Sequence, residues 1–159
     1  MHILQNSNIT ECTGKTVVHG VNCLNTMGAG AARAIANKWP EAEKAYDRYM
    51  RKYASFIITT KKLPEFEPCC YAICDDGTIV YNAIVQYYVG RDKKYGQYHL
   101  LTQSLSNICK NIISSELSRE IHITKIGCGL AGLKWEVLSE ILLEYEENYG
   151  VTFYVHCFD

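Results

Sequence analysis

No run of this sequence is long and apolar enough to cross a membrane, and residues 1–20 do not have the form of a secretory signal. Neither sign of charge prevails. Against 17 acidic residues stand 16 basic ones, and the net charge of −1 removes any global attraction to a polyanion such as duplex DNA. There is no repeat, no low-complexity tract and no linker, so residues 1–159 are expected to form one domain. Eight cysteines are present, yet none forms a C-x-x-C pair and no His/Cys spacing resembles a zinc site. No metal ion and no cofactor are expected. A chain of this size without an export signal does not call for a disulfide framework. The expectation is a reduced, cytoplasmic monomer that engages neither a membrane nor, stably, a nucleic acid.

What is present is a regular alternation of strand and helix patterns. Surface scaling for 159 residues buries roughly 69% of the unfolded surface, enough for a full core. Short strands are read at 2–5 and 15–21, with Asn8 and Thr10 as turn or cap residues between them. A helix follows over 28–38, and Trp39-Pro40-Glu41 ends it and starts another. Ala42, Ala45, Tyr46, Tyr49, Met50 and Tyr53 fall on one face of that second helix, as core packing does. Residues 56–68 are ambiguous: 56–60 has β-branched character, and Pro64 and Pro68 argue for an irregular connection. Strands at 69–74 and 78–86 are joined by Asp75-Asp76-Gly77, a hairpin signal, and the second is apolar almost throughout. The polar, basic, tyrosine-rich residues 87–96 read as a solvated surface loop, although basic residues mixed with aromatics are also a nucleic-acid hint. A third helix (97–115), a strand (121–126), a fourth helix from Trp135 and a closing strand (151–157) complete the chain. Such an alternation, with one hairpin, implies a mixed sheet covered by helices on both faces.

Two glycine-rich turns each follow a strand and precede a helix, the place where ligands sit in open α/β sheets. The first is His19-Gly20-Val21-Asn22-Cys23-Leu24-Asn25-Thr26-Met27-Gly28-Ala29-Gly30 and the second is Gly127-Cys128-Gly129-Leu130-Ala131-Gly132. Small residues let backbone N–H groups approach a ligand, and a helix N-terminus attracts negative charge. The first turn lacks the Lys-Ser/Thr of a Walker loop and the third glycine of the dinucleotide fingerprint. It carries His19, Asn22 and Asn25 instead, which suit a sugar or a reacting centre. Two such loops fit a ligand with two phosphates.

On these residues the chain resembles the macro domains, which bind ADP-ribose and its derivatives. Residues 18–46 are similar to the yeast ADP-ribose 1''-phosphate phosphatase branch, and bacteriophages carry related small macro domains. The second loop, continued through Leu133-Lys134-Trp135, is similar to the family's diphosphate-and-ribose loop. The resemblance implies a three-layer α/β/α fold with a mixed central sheet. It places adenine contacts at Asn8 and Ile9, and the distal ribose at Asn22 and Asn25 with Met27, Gly28, Ala29 and Gly30 behind it. The diphosphate falls on backbone N–H groups of Gly127, Cys128, Gly129, Leu130 and Ala131. It also assigns a catalytic role to His19. A different branch removes ADP-ribose from glutamate or nucleic acid with a lysine and an aspartate, and those positions are Gln86 and Ala131 here. Gln86 is then expected as a polar contact in the cleft.

Beside the anomeric carbon of ADP-ribose 1''-phosphate, His19 has two routes open. It can act as general acid/base, or it can attack phosphorus and form a phospho-histidine. The leading expectation is a metal-independent phosphatase that releases ADP-ribose and phosphate. A non-catalytic module that binds or sequesters ADP-ribose derivatives is the alternative from another class. A de-ADP-ribosylating hydrolase is the third, weakened by Gln86 and Ala131. His2, His99, His122 and His156 are read as structural, and Cys23 and Cys128 as small packing residues.

Overall fold

The structure is a computed structural model and describes every residue of the chain except 29, 91, 130 and 159. Among the described residues, six strands form one sheet in the order β1-β6-β5-β2-β4-β3. They are β1 (His2–Gln5), β2 (Thr16–Val21), β3 (Cys70–Ile73), β4 (Ile79–Ile84), β5 (Glu120–Thr124) and β6 (Thr152–Cys157). Five are mutually parallel, and only the edge strand β3 runs antiparallel, paired to β4 through the Asp75-Asp76-Gly77 turn. The carboxyl ends of β1, β2, β4, β5 and β6 therefore share one rim.

Among the described residues, four α-helices cover the two faces. Helices α1 (Gly30–Lys38) and α2 (Pro40–Thr60) lie on one side, and α3 (Tyr98–Ser114) and α4 (Trp135–Tyr149) on the other. This is the three-layer α/β/α arrangement expected from the sequence. The layers follow from β2, whose residues are buried on both faces: Val17, His19 and Val21 alternate with Val18. Val17 and Val21 join the core under α1 and α2, while Val18 joins the core under α3 and α4. Each large side chain fully buried there contributes about 1.5–3 kcal/mol.

One element differs from the sequence reading. Residues 56–60 are not a strand or an irregular segment but the last turns of α2. Ile57 continues the stripe of Ala42, Tyr46, Tyr49 and Met50 and is completely buried, so packing overrides the β-branched preference. The helix ends at Lys61, which takes the left-handed conformation and donates its N–H to Ile57 O.

Candidate functional site

The loops after β1, β2, β4 and β5 converge on the shared rim. Gly20 permits this, because a Cβ there would come within 2.9 Å of Ile126 Cγ2 and 3.1 Å of Val85 Cγ2. The ends of β2 and β4 and the segment after β5 thus meet where only hydrogen fits.

The first loop is built around Asn22 and Tyr46. Asn22 Oδ1 accepts from Leu24 N at 2.8 Å and its Nδ2 donates to Thr26 O at 3.0 Å. The buried Tyr46 hydroxyl donates toward Asn22 O (2.7 Å) and Asn22 Oδ1 (2.8 Å) and accepts from Thr26 N. Desolvation raises the Tyr46 phenol well above its ordinary range, so the group stays protonated. Asn22 stands just past the end of β2, with its amide organising the loop. Asn25, in the left-handed region at φ 57°, turns outward and donates to Asp47 Oδ1 at 2.6 Å. It ties the loop to α2. Met27 is buried in the core, Gly28 is exposed, and Gly30 opens α1 at φ 61°. Ala29 and Leu130 lie outside the described residues.

The second loop is shaped by Gly127, at φ 74°, whose Cβ would come within 2.6 Å of Leu133 Cδ1. Leu133 N donates back to Gly127 O at 2.8 Å and Gly132 N to Gly129 O at 3.1 Å, closing the loop on itself. Of the N–H groups expected to hold a diphosphate, that of Cys128 is engaged by Lys125 O at 3.1 Å. The Cys128 thiol is half-buried and pushed up by desolvation, which suits packing rather than nucleophilic attack. Gly129 is exposed and Ala131 half-buried at the turn. Residues 87–96 are more than a solvated loop. Gly96 N donates to Ala131 O at 2.9 Å, and Lys94 packs against Gly132. Lys94, Lys125 and Lys134 give this rim positive charge: Lys94 lies over Tyr98, Lys125 lies over Trp135, and Lys134 is exposed.

Gln86 follows β4 at the rim, half-buried, and its Nε2 donates to Tyr88 O at 2.8 Å, folding back on its own chain. Asn8 and Ile9 follow β1. Asn8 caps a one-turn 3-10 helix (Ile9–Glu11) by accepting from Thr10 N and Thr10 Oγ1, and Ile9 is buried.

His19 lies deeper than the loop residues. It lies inside β2, two residues before the strand ends, on the face covered by α2. Only 1% of it is exposed, and Nε2 meets Asn82 Oδ1 at 2.6 Å. Asn82 in turn donates to Ala42 O. Burial lowers the imidazole to about 4, partly offset by its hydrogen bond to Asn82 Oδ1, so the ring is neutral at pH 7. The imidazole is enclosed by the core and engaged by Asn82, without contact to solvent at the rim. The exposed histidine beside the rim is His99, in the first turn of α3, whose Nε2 meets the Tyr87 hydroxyl at 2.5 Å. Gln97 N donates to Val85 O at 2.8 Å, which fixes that turn at the carboxyl end of β4. Its place in a helix start gave no chemical signal in the sequence.

No family model matches the chain. It is 26% identical over 139 residues to an ADP-ribose 1''-phosphate phosphatase of the yeast Lodderomyces elongisporus, covering 82% of this chain and 81% of the relative. It is 24% identical over 144 residues to an uncharacterized 17.5 kDa protein from the tk-vs intergenic region of Enterobacteria phage T4, covering 87% and 84%. Among solved structures, a macrodomain protein from Streptomyces coelicolor superposes with a TM-score of 0.71 at 20% identity over 98% of both chains. A Thermosipho africanus DarTG in complex with ADP-ribose superposes with a TM-score of 0.73 at 15% identity. That match covers 99% of this chain and 42% of the other. The chain has the macrodomain fold.

Proposed function

We propose, proceeding from the macrodomain fold, that the loop-bearing rim binds ADP-ribose or a derivative, and that ADP-ribose 1''-phosphate is the derivative it hydrolyses. One observation carries the binding reading. Parallel strands bring Asn8–Ile9, the loop at 22–28, Gln86 and the loop at 127–132 to one rim, with the N-terminus of α1 beside them. Glycines without side chains, a helix N-terminus and nearby lysines together suit a diphosphate joined to two riboses. The solved relative with ADP-ribose bound supports the same ligand class.

The phosphatase step rests on the yeast relative's activity. Since His19 is sealed under α2, proton transfer falls to a group that reaches the rim, and His99 is the imidazole placed for it. Gln86 and Ala131 supply neither the lysine nor the aspartate of the branch that removes ADP-ribose from glutamate or nucleic acid. The burial of His19 also favours a second reading, in which the rim binds the nucleotide without turning it over.

Phosphate release from ADP-ribose 1''-phosphate, measured beside calorimetric binding of ADP-ribose, separates these readings. The expected result is release by the wild type and by His19→Asn, with at least a tenfold loss in His99→Ala. Binding without release leaves the sequestering module. Absence of both overturns the assignment of the rim.

A further inference from the structure

Away from the rim loops, three side chains distant in sequence meet inside the α1-facing layer. Cys12 caps the end of the 3-10 turn, His122 is at the centre of β5, and His156 is near the end of β6. All three are buried, with 7–8% exposed. Cys12 Sγ lies 3.5 Å from His122 Nδ1 and 3.4 Å from His156 Nε2, and those two nitrogens are 2.7 Å apart. Among the described residues no second group of three or more potential ligands gathers in this way.

We propose that Cys12, His122 and His156 bind a divalent transition-metal ion, Zn²⁺ foremost, that fastens the 3-10 turn to β5 and β6. The donor set is right for it: one thiolate and two imidazoles suit a borderline-soft ion, and three protein ligands leave a fourth position for water. The spacing also fits. Tetrahedral Zn²⁺ with bonds of about 2.3 Å to sulfur and 2.0–2.1 Å to nitrogen separates S from N by roughly 3.5 Å and N from N by roughly 3.3 Å. The two observed S···N distances match, and the imidazoles need to part by roughly 0.6 Å.

The outward nitrogens carry the second half of the argument. His122 Nε2 faces Glu120 Oε1 at 3.2 Å, and His156 Nδ1 faces Ser7 Oγ at 2.7 Å. Metal-bound histidines donate their other N–H to this kind of partner. A carboxylate only accepts, so His122 carries its proton on Nε2 and turns a bare Nδ1 lone pair inward. If His156 donates to Ser7, a second lone pair faces the first at 2.7 Å, an arrangement that needs a cation between them. The metal-free alternative makes Ser7 the donor and puts a proton on His156 Nε2. Binding forms one metal–sulfur and two metal–nitrogen bonds and displaces ligand waters, and the Cys12 thiol proton passes to solvent.

Composition and spacing hide this site, since Cys12 is 110 residues from His122 and 144 from His156. The inference is independent of the nucleotide reading.

The test uses the full chain, freed of metal by chelation and titrated with Co²⁺. One equivalent is expected to bind with a thiolate-to-cobalt charge-transfer band in the near ultraviolet, and one equivalent of Zn²⁺ is expected to displace it. Cys12→Ser should lose the band and at least 100-fold in affinity, whereas Cys69→Ser keeps both. A wild type that takes up no stoichiometric ion overturns the proposal, as does a band that survives in Cys12→Ser. Because Cys12→Ser can fail by misfolding, ring ¹⁵N resonances of the wild type give a separate readout. Zn²⁺ should shift those of His122 and His156 and leave those of His19 unchanged; unmoved His122 and His156 signals also overturn it.

Discussion

At the scale of single residues, His19 and Asn82 form a buried polar pair under α2. With the imidazole lowered to about 4 from an ordinary 6.5, the folded chain keeps it neutral while the unfolded chain takes up a proton below pH 6.5. Stability from this group is intact above pH 6.5 and falls steadily toward pH 4, at about 1.4 kcal/mol per pH unit. Urea unfolding should therefore show a loss of about 2 kcal/mol between pH 6.5 and 5 from His19 alone. His19→Asn should flatten that slope. In the metal-free protein a residual slope remains from His156, which burial and the adjacent His122 also lower to about 4. Equal slopes in wild type and variant would contradict the account. Tyr46→Phe removes the hydroxyl that joins Asn22 to Thr26, and is expected to cost about 1–3 kcal/mol. It should also weaken ADP-ribose binding several-fold, as calorimetry would report. The residue types at the rim were legible in the sequence, but the partners of His19 and Asn25 were not. In a strand buried on both faces every position is apolar or sheltered, so alternation cannot show which side chain reaches the ligand end. Asn82, which claims His19, lies 63 residues away, and the Asp47 that claims Asn25 lies on a different element.

At the scale of elements, the two rim loops are held in different ways. Asn22 and Tyr46 brace the first with side-chain hydrogen bonds, whereas the second depends on backbone that only glycine adopts without strain. Gly127→Ala combines a positive φ with an overlap on Leu133, and should destabilise the fold by about 2–4 kcal/mol. Thermal unfolding reads that loss, and ADP-ribose affinity should fall at least tenfold beside it. Gly129→Ala is the contrast: nothing lies within 4 Å of the added carbon, so a small change in melting temperature is expected. Most element types were legible. The Tyr/Met stripe of α2, the Asp75-Asp76-Gly77 hairpin and the alternating last strand carry periods that local chemistry makes plain. Residues 56–60 were misleading because their β-branched side chains speak for a strand, while burial of Ile57 against the α2-facing core decides for helix.

At the scale of the whole molecule, strand direction sets the site. The parallel strands gather the loops on their carboxyl rim, and the opposite rim holds a separate cavity of about 330 Å³ lined by Gly14, Lys15, Gly77 and Glu120. A ligand that binds only the folded chain stabilises it by mass action, by about 2.7 kcal/mol at 100 times its dissociation constant. ADP-ribose should therefore raise the melting temperature in a concentration-dependent way, with adenosine alone giving a smaller rise. The most direct test of the central claim is to titrate ADP-ribose into ¹⁵N-labelled protein and map the amide shifts. Saturable changes at one site, confined to Asn8, Ile9, Asn22, Gly28, Gln86 and the loop at 127–132, are predicted. No saturable change, or a map centred on Gly14, Lys15 and Gly77, would contradict it.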